Sequence, residues 1–293
     1  MTATAQAFAP YRGLAPFGES ELDALLFFGR ERETEIATAN LIGARLTVLY
    51  GPSGVGKSSL LRAGVARRVR ELGRSVARGP DTACVVFSSW AERPLEALGN
   101  AIAAEVAPVV SPTAPEPPEG ATLADLAEHW TALLDGDLCL VLDQLEEYFV
   151  YHGDERGPNS LLAQLPELVS RPGLRANVLL SLRDDELARL DVLQAGLPNV
   201  FANALRLDRL TRDAARAAIL GPLERWNERA GPDERVDVEL ELVEDVLDQS
   251  SVSGTGGVEA PYLQLVMERV WDEERAVEVL DPCLLYTSDA ADD

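Results

Sequence analysis

Histidine, cysteine and lysine are all scarce in this 293-residue sequence, and each scarcity closes a class of function. Three cysteines make no disulfide framework: Cys84 and Cys139 sit inside apolar, strand-like runs, Cys283 lies near the end, and their spacing fits no metal site. They read as small buried hydrophobes. With His129 and His152 the only histidines, a histidine-based metal centre is not expected. No stretch of about 18 residues is both apolar and free of charge, so no membrane-spanning helix is expected. The opening MTATAQAFAPYRG lacks a basic region followed by an apolar run, and the chain reads as cytoplasmic. Positive charge is short as well. Twenty-six basic residues face 49 acidic ones, for a net charge of −23 and a pI near 4.4, and such a surface repels phosphate backbones. Neither a nucleic acid nor a membrane is therefore expected as a direct partner. What is present, 46% hydrophobic and 26% charged residues, is the balance of a soluble globular chain. At roughly 100–200 residues per domain it holds one large domain or two modest ones.

Lysine is the rarest of the charged residues. Of the 26 basic residues 25 are arginine, and the single lysine, Lys57, lies in Gly51-Pro52-Ser53-Gly54-Val55-Gly56-Lys57-Ser58. That segment matches the phosphate-loop pattern G-x-x-x-x-G-K-[ST], and its surroundings agree with it. Leu46-Thr47-Val48-Leu49-Tyr50 reads as a strand leading in, and Leu61, Val65, Val69 and Leu72 recur at helical spacing up to Gly73. In such a loop the glycines let backbone N–H groups curl around the β-phosphate, and the helix N-terminus adds positive potential. Lys57 reaches the β- and γ-phosphates, and the Ser58 hydroxyl can ligate Mg²⁺. Ser59 is counted among the nucleotide-binding residues. An arginine's wide planar fork could not replace the compact ammonium of Lys57.

A phosphate loop needs an acidic partner for its metal at the end of another strand. Asp137-Leu138-Cys139-Leu140-Val141-Leu142-Asp143 reads as a buried parallel strand with a carboxylate at its C-terminal end, where ligands bind in open α/β sheets. Asp143 is the expected Mg²⁺ partner. Gln144 stands directly after it, so the water-activating carboxylate is Glu146 or Glu147. Val178–Leu182 reads as a further buried strand that ends at Arg183-Asp184-Asp185. A polar residue at the tip of a strand between the two motif strands can sense the γ-phosphate, which makes Arg183 the sensor candidate; pairing with Asp184 or Asp185 is the alternative.

Strand signals near 45–50, 83–88, 138–142, 176–182 and 204–207 alternate with helical patterns, which predicts a parallel, doubly wound α/β sheet. The proline-rich stretch 108–120 reads as a surface loop within the domain. After about Leu210 the strand signal stops. Amphipathic helices are predicted over 212–229, 238–250 and 261–275, the last with Leu263, Val266, Met267, Val270 and Trp271 on one core-forming face. They predict a small helical lid over the nucleotide edge of the sheet.

Pro10-Tyr11-Arg12-Gly13-Leu14-Ala15-Pro16-Phe17, then Phe27-Phe28-Gly29-Arg30-Glu31, then GPSGVGKSSLLRAGV, then LVLDQLEEYF occur in an order similar to that of the STAND class of signal-transduction ATPases. From Pro10 to Asp281 the chain resembles the bacterial members often fused to WD-repeat propellers. The resemblance implies a P-loop NTPase of the ASCE type, with a five-stranded parallel sheet in the order 5-1-4-3-2 followed by a helical lid. It places Phe28, Gly29 and Arg30 by the adenine, and makes Ala260-Pro261-Tyr262-Leu263 the proline-bearing lid motif, with Pro261 closing over the nucleotide. It implies an ATP/ADP-binding regulatory switch with slow, Mg²⁺-dependent hydrolysis coupled to signal transduction, and homo-oligomerisation on activation. Arg183-Asp184-Asp185 stands where an Arg-Ala-Asp-type sequence is common in the class. An alternative reading is a nucleotide-gated scaffold that binds ATP and scarcely hydrolyses it, which Gln144 beside Asp143 supports. The expected division is an N-terminal family segment over 1–44, a P-loop core over 45–209, an incomplete lid over 210–282 and a tail over 283–293. That tail, beginning Cys283-Leu284-Leu285-Tyr286-Thr287-Ser288, reads as a translated sequencing adapter. A downstream repeat or propeller domain is accordingly expected to be missing.

Overall fold

The computed structural model describes residues 9–74, 82–110, 115–155, 157–252 and 257–277. The described residues divide into two compact units, one within Phe17–Asp208 and the other formed by residues 9–16 with those of 209–277. The described part of the segment 1–44 is thus shared between them, Phe17 beginning the part that belongs with the sheet. The tail 283–293 lies outside the described residues.

The larger unit is built on strands β1 Leu46–Gly51, β2 Thr82–Phe87, β3 Asp137–Leu142, β4 Ala176–Arg183 and β5 Ala204–Arg206. All pair in parallel, in the order β2-β3-β4-β1-β5. This is the 5-1-4-3-2 order expected, and each strand lies within a residue of its predicted range. Strands β1 to β4 are near-continuous apolar runs because both faces of the sheet are covered there, whereas the edge strand β5 is exposed at Ala204 and Arg206. Along β3, Leu138, Leu140 and Leu142 enter one core with Trp90, Tyr148 and Leu165, whereas Cys139 and Val141 enter another with Leu41, Leu60, Leu61 and Val65. Each fully buried leucine contributes about 2 kcal/mol. Cys84 and Cys139 are free thiols, face each other in register across β2 and β3, and are kept neutral because burial pushes both up.

The helix after the phosphate loop runs over 57–74 and is not uniform. It opens as Lys57–Ser59, widens to a π-helical stretch at Leu60–Ala66, and closes as Arg67–Arg74. The wide turns coincide with close packing on helix Glu31–Gly43: a Cβ on Gly64 would lie 2.6 Å from Thr34 Oγ1. Other helix starts follow from side-chain caps. Ser20 accepts from the Asp23 N–H ahead of Glu21–Leu26, and Thr122 forms a capping box with Asp125 ahead of Leu123–Leu134.

In the smaller unit, helices Arg212–Asn227, Leu240–Gln249 and Ala260–Val277 pack around Ile219, Leu223, Val243, Leu247, Leu263 and Met267. Tyr11 belongs to this core: its hydroxyl donates to the Ile219 carbonyl at 2.8 Å, and its ring meets Trp271 edge-on at 6.3 Å. Trp271 in turn meets Trp226 at 5.1 Å. Val258 bridges antiparallel to Leu210 and to Ser251. Among the described residues no helix is long and apolar enough to cross a membrane.

Candidate functional site

The site forms at the C-terminal ends of β1, β3 and β4, where an open parallel sheet presents its strand ends. β1 has to end on glycine, because a Cβ on Gly51 would lie 2.2 Å from the Leu207 carbonyl oxygen. Gly54 (φ +72°) and Gly56 (φ +96°) then take left-handed conformations that an L side chain resists, and Gly56 caps the helix that starts at Lys57. Pro52 is half-buried, Ser53 and Gly54 are exposed, Val55 is buried, and Ser58 is half-buried at the helix start. Lys57 is buried, and its Nζ donates to the carbonyls of Gly51 at 2.8 Å and Pro52 at 3.0 Å. Burial lowers its pKa, against the opposing pull of the Glu146, Asp143 and Asp184 carboxylates. The ammonium therefore stands over the loop on two acceptors that phosphate oxygens could replace.

The loop is braced from behind. Arg30, 5% exposed, donates to the carbonyls of Val55 at 3.0 Å and Asp208 at 2.8 Å and to Glu33 Oε1 at 2.9 Å. Its hydrogen bonds thus run to the loop backbone and to the chain just after β5. Gly29 has φ +83° and donates its N–H to Glu31 Oε1 at 3.0 Å, while Phe28 is half-buried beside it. Ser59 Oγ accepts from the Phe17 N–H at 3.2 Å.

Asp143, fully buried, follows β3. Its Oδ1 accepts from Ser181 Oγ and from the Gln144 N–H, each at 3.0 Å, and its own carbonyl accepts from Trp90 Nε1 at 2.7 Å. Its Oδ2 makes no hydrogen bond, with Arg62 Nη2 3.7 Å away. A buried carboxylate oxygen without a donor, together with the Ser58 hydroxyl, is a hard-oxygen set that fits Mg²⁺. Among the described residues there is no group of three or more histidines, cysteines and carboxylates that could hold a metal ion.

Gln144 is spent on the turn: it caps helix Leu145–His152 in a left-handed conformation (φ +55°). That turn brings Glu146, not the residue after Asp143, into the field of Lys57 and Asp143. Glu146 Oε2 is buried without a hydrogen bond, and burial raises its pKa against hydrogen bonds from its own and the Arg183 backbone and the charge of Lys57. Glu147 is exposed. Arg183 lies in register with Gly51, but its guanidinium is exposed and pairs with Asp185 (Nε to Oδ1, 2.9 Å). Pro261 is the second residue of the last helix, in the other unit. Sequence reasoning missed Ser181, Trp90, Arg62 and Ser88. Ser181 carried a signal, as the one polar residue inside the run Val178–Leu182.

The family model described as Novel STAND NTPase 1 matches residues 10–282. Among curated proteins none matches. Among solved structures, the chain is similar to the ORC2 protein of Aeropyrum pernix in ADPNP–ADP complexes, at 17% identity and a TM-score of 0.60, covering 85% of this chain and 64% of that one. A Walker-type ATPase of Pyrococcus abyssi gives 18% identity and a TM-score of 0.56, with 91% and 75% covered. The Aeropyrum pernix ORC1 protein in complex with DNA gives 17% and 0.53, with 85% and 62% covered. These likenesses show the fold. The chain spans just under two-thirds of the length of the ORC2 protein it matches.

Proposed function

Because the chain belongs to the Novel STAND NTPase 1 family, we propose that this P-loop NTPase is a regulatory switch whose bound nucleotide, ADP or ATP, sets its signalling state and whose ATP hydrolysis is slow. Lys57 exchanges the carbonyls of Gly51 and Pro52 for β- and γ-phosphate oxygens. Ser58 and Asp143 would hold a Mg²⁺ ion, whose chemistry when bound is to offset charge on the β- and γ-oxygens. Glu146 serves as the base. Its Oε2 takes a proton from the attacking water as the water oxygen bonds to the γ-phosphorus and the bond from that phosphorus to the bridging oxygen breaks, releasing ADP. The observation that carries this reading is the buried Oε2 without a donor on Glu146, beside Lys57 and Asp143, while Glu147 is exposed. The raised pKa moves Glu146 toward the working pH, where a base transfers protons best.

Phosphate release from the purified chain tests it. Glu146→Gln is expected to lower turnover about 100-fold with ADP affinity within about twofold, and Glu147→Gln to leave turnover unchanged. Lys57→Ala is expected to abolish tight nucleotide binding with the fold intact by circular dichroism. Equal effects of the two glutamine variants would overturn the choice of base. A second reading, a nucleotide-gated scaffold, is favoured by Gln144 directly after Asp143; wild-type chain that binds ATP without releasing phosphate selects it. Contacts of Phe28, Gly29 and Arg30 with adenine, of Arg183 with the γ-phosphate and of Pro261 with bound nucleotide are proposals from the resemblance, as are a downstream repeat or propeller region and homo-oligomerisation. The structural neighbours include the Aeropyrum pernix ORC1 protein, which was solved in complex with DNA. The net charge of −23 argues that the ligand of this chain is a free nucleotide.

A further inference from the structure

The carboxylate of Asp143 is held from one side only. Oδ1 takes both hydrogen bonds, from Ser181 and the Gln144 N–H, and Oδ2 takes none. A buried anion left in that state is costly, and the cation that faces it is Arg62, with Nη2 3.7 Å from Oδ2. At that distance Arg62 attracts Oδ2 without consuming it as a hydrogen-bond acceptor. The same Nη2 donates to Ser88 Oγ at 3.0 Å, so the guanidinium is anchored at the end of β2. Arg62 lies in the π-helical stretch Leu60–Ala66, four residues beyond Ser58. Such stretches are rare and occur frequently at functional sites.

We propose that Arg62, anchored by Ser88, is a positioning residue of the Mg²⁺ site: it holds the free oxygen of Asp143 in place while leaving it open to accept from the metal's coordination shell. The same helix thereby supplies Ser58 to the metal and Arg62 to the metal's carboxylate partner, and β2, β3 and the loop helix are tied together at the cation. This rests on the reading of Asp143 as the metal partner given above.

The test is ADP affinity of the full chain, by calorimetry, with excess Mg²⁺ and with EDTA; the ratio of the two is the metal-dependent gain. Asp143→Asn examines the underlying reading and should erase most of that gain. Arg62→Met should cut the gain about tenfold while leaving the EDTA affinity within about twofold, and Arg62→Lys should recover most of it. Ser88→Ala, which removes the anchor and no buried charge, should cut the gain about threefold, and decides the matter if Arg62→Met does not fold. An unchanged gain in Arg62→Met or Ser88→Ala, with Asp143→Asn defective, overturns the proposal alone; so does an equal loss with and without Mg²⁺, which marks a purely structural role. A full gain in Asp143→Asn overturns the metal reading and the proposal together.

Discussion

An ammonium that already holds two carbonyl oxygens gives the phosphate loop a shape before nucleotide arrives. Lys57 binds Gly51 and Pro52, and Arg30 binds Val55 from behind, so much of the ordering that binding would otherwise require is already present. Glu146 is the opposite kind of residue, since burial disfavours its charge more than the backbone hydrogen bonds to its carboxylate and the charge of Lys57 favour it, and its Oε2 has no donor. A carboxyl whose folded pKa is raised binds its proton more tightly in the folded state, so its ionisation costs stability once pH exceeds the ordinary glutamate range. Glu146→Gln is therefore expected to raise the melting temperature of the nucleotide-free protein at pH 7.5 by about 2 °C. The gain should shrink as pH falls through the carboxylate range and vanish where both forms are neutral. Scanning calorimetry across pH checks it, and a gain independent of pH would show that packing, not charge, is responsible.

At the scale of elements, β1 and the chain after β5 meet too closely at Gly51 for any side chain. Gly51→Ala places its Cβ 2.2 Å from the Leu207 carbonyl oxygen and must push the two apart. The expected cost is about 3 kcal/mol in denaturant unfolding, with loss of ADP binding because the loop departs from that strand end. The same element explains what could be read from sequence. A strand buried on both faces leaves a near-continuous apolar run, which is why β1 to β4 were legible, whereas β5 is a three-residue edge strand exposed at Ala204 and Arg206; the loop was legible because its left-handed glycines and its lysine are fixed by a contiguous pattern. Asp143 was legible as the carboxylate at a strand end. The choice between Glu146 and Glu147 was not, since it depends on the left-handed turn at Gln144 that rotates the following helix. Arg30 was placed by resemblance alone, and its two carbonyl partners lie 25 and 178 residues away, a distance no local pattern encodes. Arg62 was invisible for the same reason, because its partners Ser88 and Asp143 follow two other strands.

At the scale of the whole molecule, the chain begins in one compact unit, builds the other, and returns. Tyr11 is the early residue that commits to the helical unit, through its hydroxyl on Ile219 and its ring on Trp271. Tyr11→Phe leaves the buried Ile219 carbonyl without that donor and is expected to cost about 1 kcal/mol. Hydrogen exchange should show the loss in helices Arg212–Asn227 and Ala260–Val277, and unchanged protection there would refute it. The division of labour among cations has a chemical consequence of its own. Arginine carries every other positive side chain, so apart from the α-amino group the only amine on the polypeptide is Lys57 Nζ. Amine-directed acylation therefore has a single side-chain target, partly shielded by the loop carbonyls and covered further when phosphates take their place. The acylated fraction at Lys57, read by mass spectrometry, should fall as ADP is added and rise again on its removal: the molecule has a built-in, single-site reporter of its own occupancy.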